Sequence, residues 1–275
     1  MPTFLPDGLR LRRVPFLEGK FADSKLMTFP RILSIPLGAL VVAQAFLGII
    51  PSADAASAPV RIVIVGDSTV AQYPAKDFKR GWGQFLAEDF RPGAVEVIDL
   101  AAPGRSTKSF IREGRWQKAR AERPDYVLIQ FGHNDSHAPS RPEATDPATD
   151  YRANLRRYID ESQEIGAAPI LVTPMVRRTF DAQGRIVEGQ PVPNRPLAAY
   201  AEAMKAVGAE KNVPVIDLYA SSKALVEKLG PSASMELASE KSDVTHFNEK
   251  GARAMAALVI QGLPAAAPGL AGLLK

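Results

Sequence analysis

The chain has 275 residues, 46% of them hydrophobic and 23% charged, with a formal net charge of +4, which is enough for one α/β domain with a full core. It contains no cysteine, which excludes a disulfide framework, a thiolate nucleophile and a Cys-ligated zinc site. Residues 1–55 hold six basic and four acidic side chains, so the remainder carries only +2, too near neutral for the basic stripe of a nucleic-acid binder.

The N-terminal stretch differs from the rest of the chain. Arg10, Arg12, Arg13, Lys20, Lys25 and Arg31 lead into the apolar run 32–50, which ends at Pro51-Ser52-Ala53-Asp54-Ala55. A basic lead, an apolar run and a small-x-small site are the layout of a secretory signal, here cleaved after Ala55. Met27 is a candidate true start, leaving Arg31 as the only charge ahead of the run. The competing reading is an uncleaved anchor, because the run approaches the ~20 residues that span a bilayer. Pro36 and Gly38 interrupt its first part and favour the signal. Arg12-Arg13 invites a twin-arginine reading, against which stand Pro15 and the distance to the apolar run. The expectation is a secreted or periplasmic protein with 56–275 as one catalytic domain and no membrane association in the mature form.

From residue 60 onward, short apolar runs rich in β-branched residues occupy 60–65, 95–100, 126–131, 169–172 and 213–218. Segments of helical period lie at 82–90, 112–121, 151–165, 195–211, 223–229 and 249–261. This alternation predicts a doubly wound parallel sheet of about five strands covered on both faces, a three-layer α/β/α fold. Residues 136–149 carry three prolines without apolar periodicity and read as a long loop after the third strand, on the strand edge where open α/β sheets bind ligands. Residues 177–196 form a second irregular segment, either lining the same pocket or making a surface hairpin that turns at Asp181-Ala182-Gln183-Gly184.

Chemistry-bearing residues cluster at the ends of these strands. Ser68 follows the first strand in Gly66-Asp67-Ser68-Thr69, and a serine hydroxyl becomes a nucleophile only when a base takes its proton. His246 is the candidate base, with Asp243 three residues earlier placed to accept from the imidazole Nδ1. Acyl transfer also needs donors aimed at the developing oxyanion. The candidates are the backbone N–H groups of Ser68 and Gly104 and the side-chain amide of Asn134. Taken singly, each motif has a plain structural reading: a helix N-cap for Asp67-Ser68, a surface pairing for Asp243 and His246, tight turns for Gly104 and Asn134.

Taken together, Gly66-Asp67-Ser68, Gly104, Gly132-His133-Asn134-Asp135 and Asp243-x-x-His246 resemble the four sequence blocks of the SGNH (GDSL-like) hydrolases over nearly all of residues 60–262. Gly81-Trp82-Gly83, the run 104–110, Arg112-Glu113-Gly114-Arg115-Trp116 and the run 245–252 make the chain most similar to the rhamnogalacturonan acetylesterase family. The resemblance implies a flavodoxin-like fold and deacetylation of plant cell-wall polysaccharide without metal or cofactor. It also implies Ser68 as nucleophile, Asp243 and His246 as its partners, and an oxyanion hole of Ser68, Gly104 and Asn134. Asp67, Arg105 and His133 are further candidates for contact with an acetylated polysaccharide or oligosaccharide, with a packing or loop-bonding role as the alternative for His133. A lysophospholipase or acyl-thioesterase is the alternative within the superfamily, and a non-catalytic carbohydrate-binding protein the alternative outside it.

Three other features are ambiguous from sequence. His133, Asp135 and His137 alternate as a candidate metal cluster, but alternate residues beyond a strand end need not converge. Trp82 and Trp116 are either sugar platforms or core, and core is the expectation inside helices. Arg105, Lys108, Arg112 and Arg115 either meet substrate carboxylates or form a solvated face.

Overall fold

The computed structural model describes residues 58–187 and 197–275. The signal and anchor readings of 1–55, and the part of the second irregular segment beyond residue 187, fall outside them. Among the described residues, no helix is long and apolar enough to cross a membrane.

Five strands, β1 (Val60–Gly66), β2 (Val95–Asp99), β3 (Tyr126–Gln130), β4 (Ala168–Val172) and β5 (Val215–Ile216), form one parallel sheet in the order β2-β1-β3-β4-β5. That is the flavodoxin-like order, in which the strand order reverses beside β1 and leaves a crevice at the C-terminal ends of β1 and β3. Both faces of the central strands β1, β3 and β4 are buried, which is why they read as largely apolar runs, whereas edge strand β2 keeps Glu96 exposed. Side chains alternate between the faces with the two-residue period of a strand. Ile62 and Ile64 point to a core shared with Trp82, Phe85, Met255 and Val259, whereas Val63 and Val65 point to one shared with Phe110, Trp116, Tyr158 and Tyr200.

The second core is built by α1 (Thr107–Arg112), α2 (Arg115–Ala121), α3 (Asp150–Glu164) and α4 (Leu197–Lys211). The first is covered by a 3-10 helix (Trp82–Asp89) and by α6 (Glu249–Ala266), with Leu218 from α5 (Leu218–Met235) and Leu270 from α7 (Pro268–Ala271). Aromatic side chains tie the second core to the strand ends. Tyr158 stacks on Phe131 and meets Trp116 edge-on, while its hydroxyl donates to the Thr107 carbonyl at 3.0 Å. Trp82 and Trp116 are fully buried core residues.

Several element bounds differ from expectation, each for a local reason. The predicted helix over 112–121 begins at Arg115, because Gly114 is left-handed at φ 71°, and a separate helix, α1, precedes it behind the Ser106 cap. The segment over 82–90 winds as a 3-10 helix. The fifth strand shrinks to two residues because Asp217 caps α5 at once through the Ala220 N–H. That helix is longer than the expected 223–229 and kinks at Gly230, ahead of Pro231. The last long helix runs past residue 261 to Ala266, carrying Pro264 inside it.

One buried group makes stability depend on pH. Asp99, at the end of edge strand β2, accepts from the Ala101 N–H at 2.9 Å, but its Oδ2 is buried without a partner among the described residues. Burial pushes its carboxyl up to about 7, against that one hydrogen bond. The folded state therefore holds the proton more tightly than the unfolded chain. Stability from this group is complete below about pH 4 and is lost as pH rises through about 7. Asp99→Asn is expected to be the more stable protein at pH 8, by on the order of 2 kcal/mol, and to match wild type near pH 4. Urea midpoints at both pH values check this, and an unchanged pH slope in the variant would count against it.

Candidate active site

Ser68 lies two residues beyond the end of β1, at the mouth of the crevice and 8% exposed. The turn that presents it is tight. A Cβ on Gly66 would stand 2.7 Å from both the Gln130 carbonyl oxygen and a Val70 methyl, so the strand can pass there only with glycine. A buried polar chain backs the turn. The Trp82 indole donates to Gln130 Oε1 at 2.7 Å, the Gln130 amide to Thr69 Oγ1 at 2.9 Å, and Thr69 Oγ1 to Asp67 Oδ1 at 2.7 Å.

The loop ahead of α6 brings His246 to Ser68. Ser68 Oγ lies 2.9 Å from His246 Nε2, and His246 Nδ1 lies 2.8 Å from Asp243 Oδ2. Asp243 accepts three further bonds, from the backbone N–H groups of Thr245 and His246 at 2.8 Å each and from Ser239 Oγ at 2.9 Å. Burial pushes its carboxyl up, but the His246 and Thr245 N–H groups and the imidazole outweigh it and hold Asp243 at about 2. A carboxylate ionised over the whole working range can keep the imidazole in one tautomer and stabilise its protonated form.

The other side of the mouth comes from the loops after β2 and β3. Gly104 is left-handed at φ 77°, and a Cβ there would meet nothing within 4 Å, so this backbone faces open space. Neither the Ser68 N–H nor the Gly104 N–H donates to an acceptor among the described residues. Asn134 Nδ2 donates to the Arg105 carbonyl at 3.0 Å, which binds the two loops together. Asp135 reinforces that join. It is fully buried and accepts from Thr107 N, Thr107 Oγ1 and Thr145 Oγ1. Burial still raises its carboxyl, to about 7.

The remaining sequence candidates are distributed differently. Asp67 and His133 are buried beneath the mouth, with Asp67 Oδ2 3.4 Å from His133 Nδ1, an electrostatic contact too long for a good hydrogen bond. Burial lowers the His133 pKa, and Asp67 partly offsets it. Both side chains lie below the Ser68 turn, and Asp67 braces it through the Thr69 N–H and hydroxyl. Arg105 is held by Glu113 at 2.9 Å and by the Pro103 carbonyl. Arg115 shares Glu113, and Lys108 donates to the Ala144 carbonyl. His133, Asp135 and His137 do not converge, since His137 pairs with Glu143 at 2.7 Å and Asp135 with the threonines.

Arg178 is the contributor that sequence reasoning missed. It is 2% exposed, donates from Nη2 to the Asp243 carbonyl at 2.8 Å and the His246 carbonyl at 2.7 Å, and lies 4.4 Å from the Phe247 ring centre. Burial lowers its pKa to about 10, against the pull of Asp243. No short motif marks it. Its sequence signal is no more than a charged pair directly after the fourth strand's turn.

This geometry is matched by kinship. The GDSL-like lipase/acylhydrolase family model matches residues 64–254. The chain belongs to that family. It is 40% identical over 221 residues to a rhamnogalacturonan acetylesterase, RhgT, from Bacillus subtilis strain 168, covering 74% of this chain and 90% of that protein. It is 37% identical over 207 residues to a probable rhamnogalacturonan acetylesterase, YesY, from the same organism, covering 74% and 91%. Among solved structures it is similar to the Bacillus subtilis protein YxiM, with a TM-score of 0.66 and 29% identity over 78% of this chain and 58% of that one. As a GDSL-like family member the protein is a carboxylic ester hydrolase of the three-layer SGNH type.

Because Arg178 grips the loop through its carbonyls, Arg178→Met is expected to lower kcat about tenfold to a hundredfold with a much smaller change in KM. Steady-state kinetics check this, and a variant with wild-type kcat would show that the loop holds itself.

Proposed function

We propose that the protein removes acetyl groups from an acetylated plant cell-wall polysaccharide of the rhamnogalacturonan or pectin type. The single observation that carries the reading is the hydrogen-bonded line from Ser68 Oγ through His246 to Asp243, at 2.9 and 2.8 Å. Two relatives described as acetylesterases of that polymer support the substrate class.

In the proposed reaction His246 Nε2 takes the proton of Ser68 as Oγ attacks the acetyl carbonyl carbon. The carbonyl oxygen becomes an oxyanion, met by the free N–H groups of Ser68 and Gly104 and by the Asn134 amide. Each donor in such a hole lowers the barrier by roughly 3 kcal/mol, about a hundredfold or more in rate. Collapse of the tetrahedral species breaks the bond to the sugar oxygen, which leaves with the proton from His246. Water then attacks the acetyl-serine with His246 again as base, releasing acetate and restoring Ser68. Asp243 stays ionised throughout and stabilises the imidazolium. Export fits the same reading, since such a polymer is met outside the cell, and residues 1–55 have the layout of a signal.

Acetate release should be strongest on acetylated rhamnogalacturonan or pectin, weaker on acetylated xylan, and should fall steeply along a chain-length series of p-nitrophenyl esters. Preference for long acyl chains would instead favour a lysophospholipase or thioesterase. Ser68→Ala is expected to abolish turnover while keeping the native unfolding transition, and Asn134→Ala to lower kcat about a hundredfold. Near wild-type turnover by Ser68→Ala would overturn the assignment of the nucleophile.

A further inference from the structure

We propose that Arg177 is a carboxylate clamp at the mouth of the pocket, holding the negative charge of a uronic-acid unit that neighbours the acetylated sugar. The inference deepens the proposed function and borrows from it only the identity of the ligand.

Consecutive arginines after β4 turn to two different loops. Arg178 grips the carbonyls of Asp243 and His246. Arg177 Nη2 donates to the His133 carbonyl at 3.1 Å and to Ser136 Oγ at 3.0 Å, on the loop that carries Asn134. The backbone at 177–178 therefore bridges the loop of the candidate base and the loop of the candidate oxyanion donor, which puts the Arg177 guanidinium beside the pocket.

Its free valences are the informative part. Nη2 supplies both of those bonds, and neither Nε nor Nη1 donates to an acceptor among the described residues. Nor is either one sealed off, whereas Nε and Nη1 of Arg178 are buried without partners. Arg105, Arg115, Arg120, Arg156 and Arg253 each hold a glutamate, but Arg177 pairs with no carboxylate among the described residues. Burial lowers its pKa, and Asp67, the one acid that raises it, makes no ion pair with it: Oδ1 accepts from Thr69, and Oδ2 lies toward His133. A guanidinium partly stripped of water, with Nη2 spent on the loop and the Nε and Nη1 N–H groups each open to one further acceptor, can hold an external carboxylate through a charge-assisted hydrogen bond.

The test is inhibition of p-nitrophenyl acetate hydrolysis by trigalacturonate and by its methyl ester, which removes only the charge. In wild type the acid should inhibit competitively, with a Ki about tenfold or more below that of the ester. Arg177→Gln should bring the two Ki values within twofold of each other, and Arg177→Lys should keep part of the difference. Equal Ki values for acid and ester in wild type overturn the clamp whether or not the variants fold. So does a difference that survives in Arg177→Gln. Because the readout needs no acetate release from a polysaccharide, failure of the clamp is distinguishable from failure of the pectic reading.

Discussion

The imidazole of His246 is hydrogen-bonded at both nitrogens, to Ser68 on one side and Asp243 on the other, and so joins two segments 178 residues apart in sequence. An imidazole bonded at both ends cannot rotate without losing one partner. Everything else at the crevice serves to keep those ends in place. Asp243 is fixed by its neighbours' N–H groups and Ser239, the loop carbonyls by Arg178, and Ser68 by the tight turn at Gly66.

Beneath this surface lies an unusual density of buried polar groups. Asp67, Gln130, His133 and Asp135 are all enclosed at the C-terminal ends of β1 and β3. A core of apolar residues there would be the more stable choice, since burying ionisable groups costs free energy even when they are paired. Their hydrogen bonds run between separate elements and loops rather than within one: Asp135 to Thr107 and Thr145, and Gln130 to Trp82 and Thr69. Directional bonds of that kind fix relative loop positions in a way that non-directional apolar contact does not. The sheet supplies rigidity, and this polar layer transfers it to the loops.

The strands are legible in the sequence because burial of the central ones on both faces makes them largely apolar and β-branched, and four of the five appear within a residue or two of where the pattern puts them. β5 is shorter than its apolar run, since Val213 and Leu218 are buried for other reasons, one in the turn out of α4 and the other in the first turn of α5. α1 escapes a reading by period because Thr107–Arg112 is too short to show one. At the crevice, Ser68, Gly104 and Asn134 announce themselves through residue type and placement at strand ends, and Asp243 and His246 through their spacing ahead of the last long helix. Arg177 and Arg178 do not, because their partners are backbone carbonyls and a hydroxyl, groups that every sequence offers everywhere. The depth of Asp67 and His133 below the surface is not legible either, because residue type at a strand end carries no information on burial.

The most direct test of the hydrogen-bonded relay is covalent labelling with a fluorophosphonate, followed by peptide mass mapping. The account predicts one adduct per chain, on Ser68, with labelling slowed by orders of magnitude in His246→Ala and strongly slowed in Asp243→Asn. An adduct on a different serine, or labelling of Ser68 at the wild-type rate without the imidazole, would contradict it.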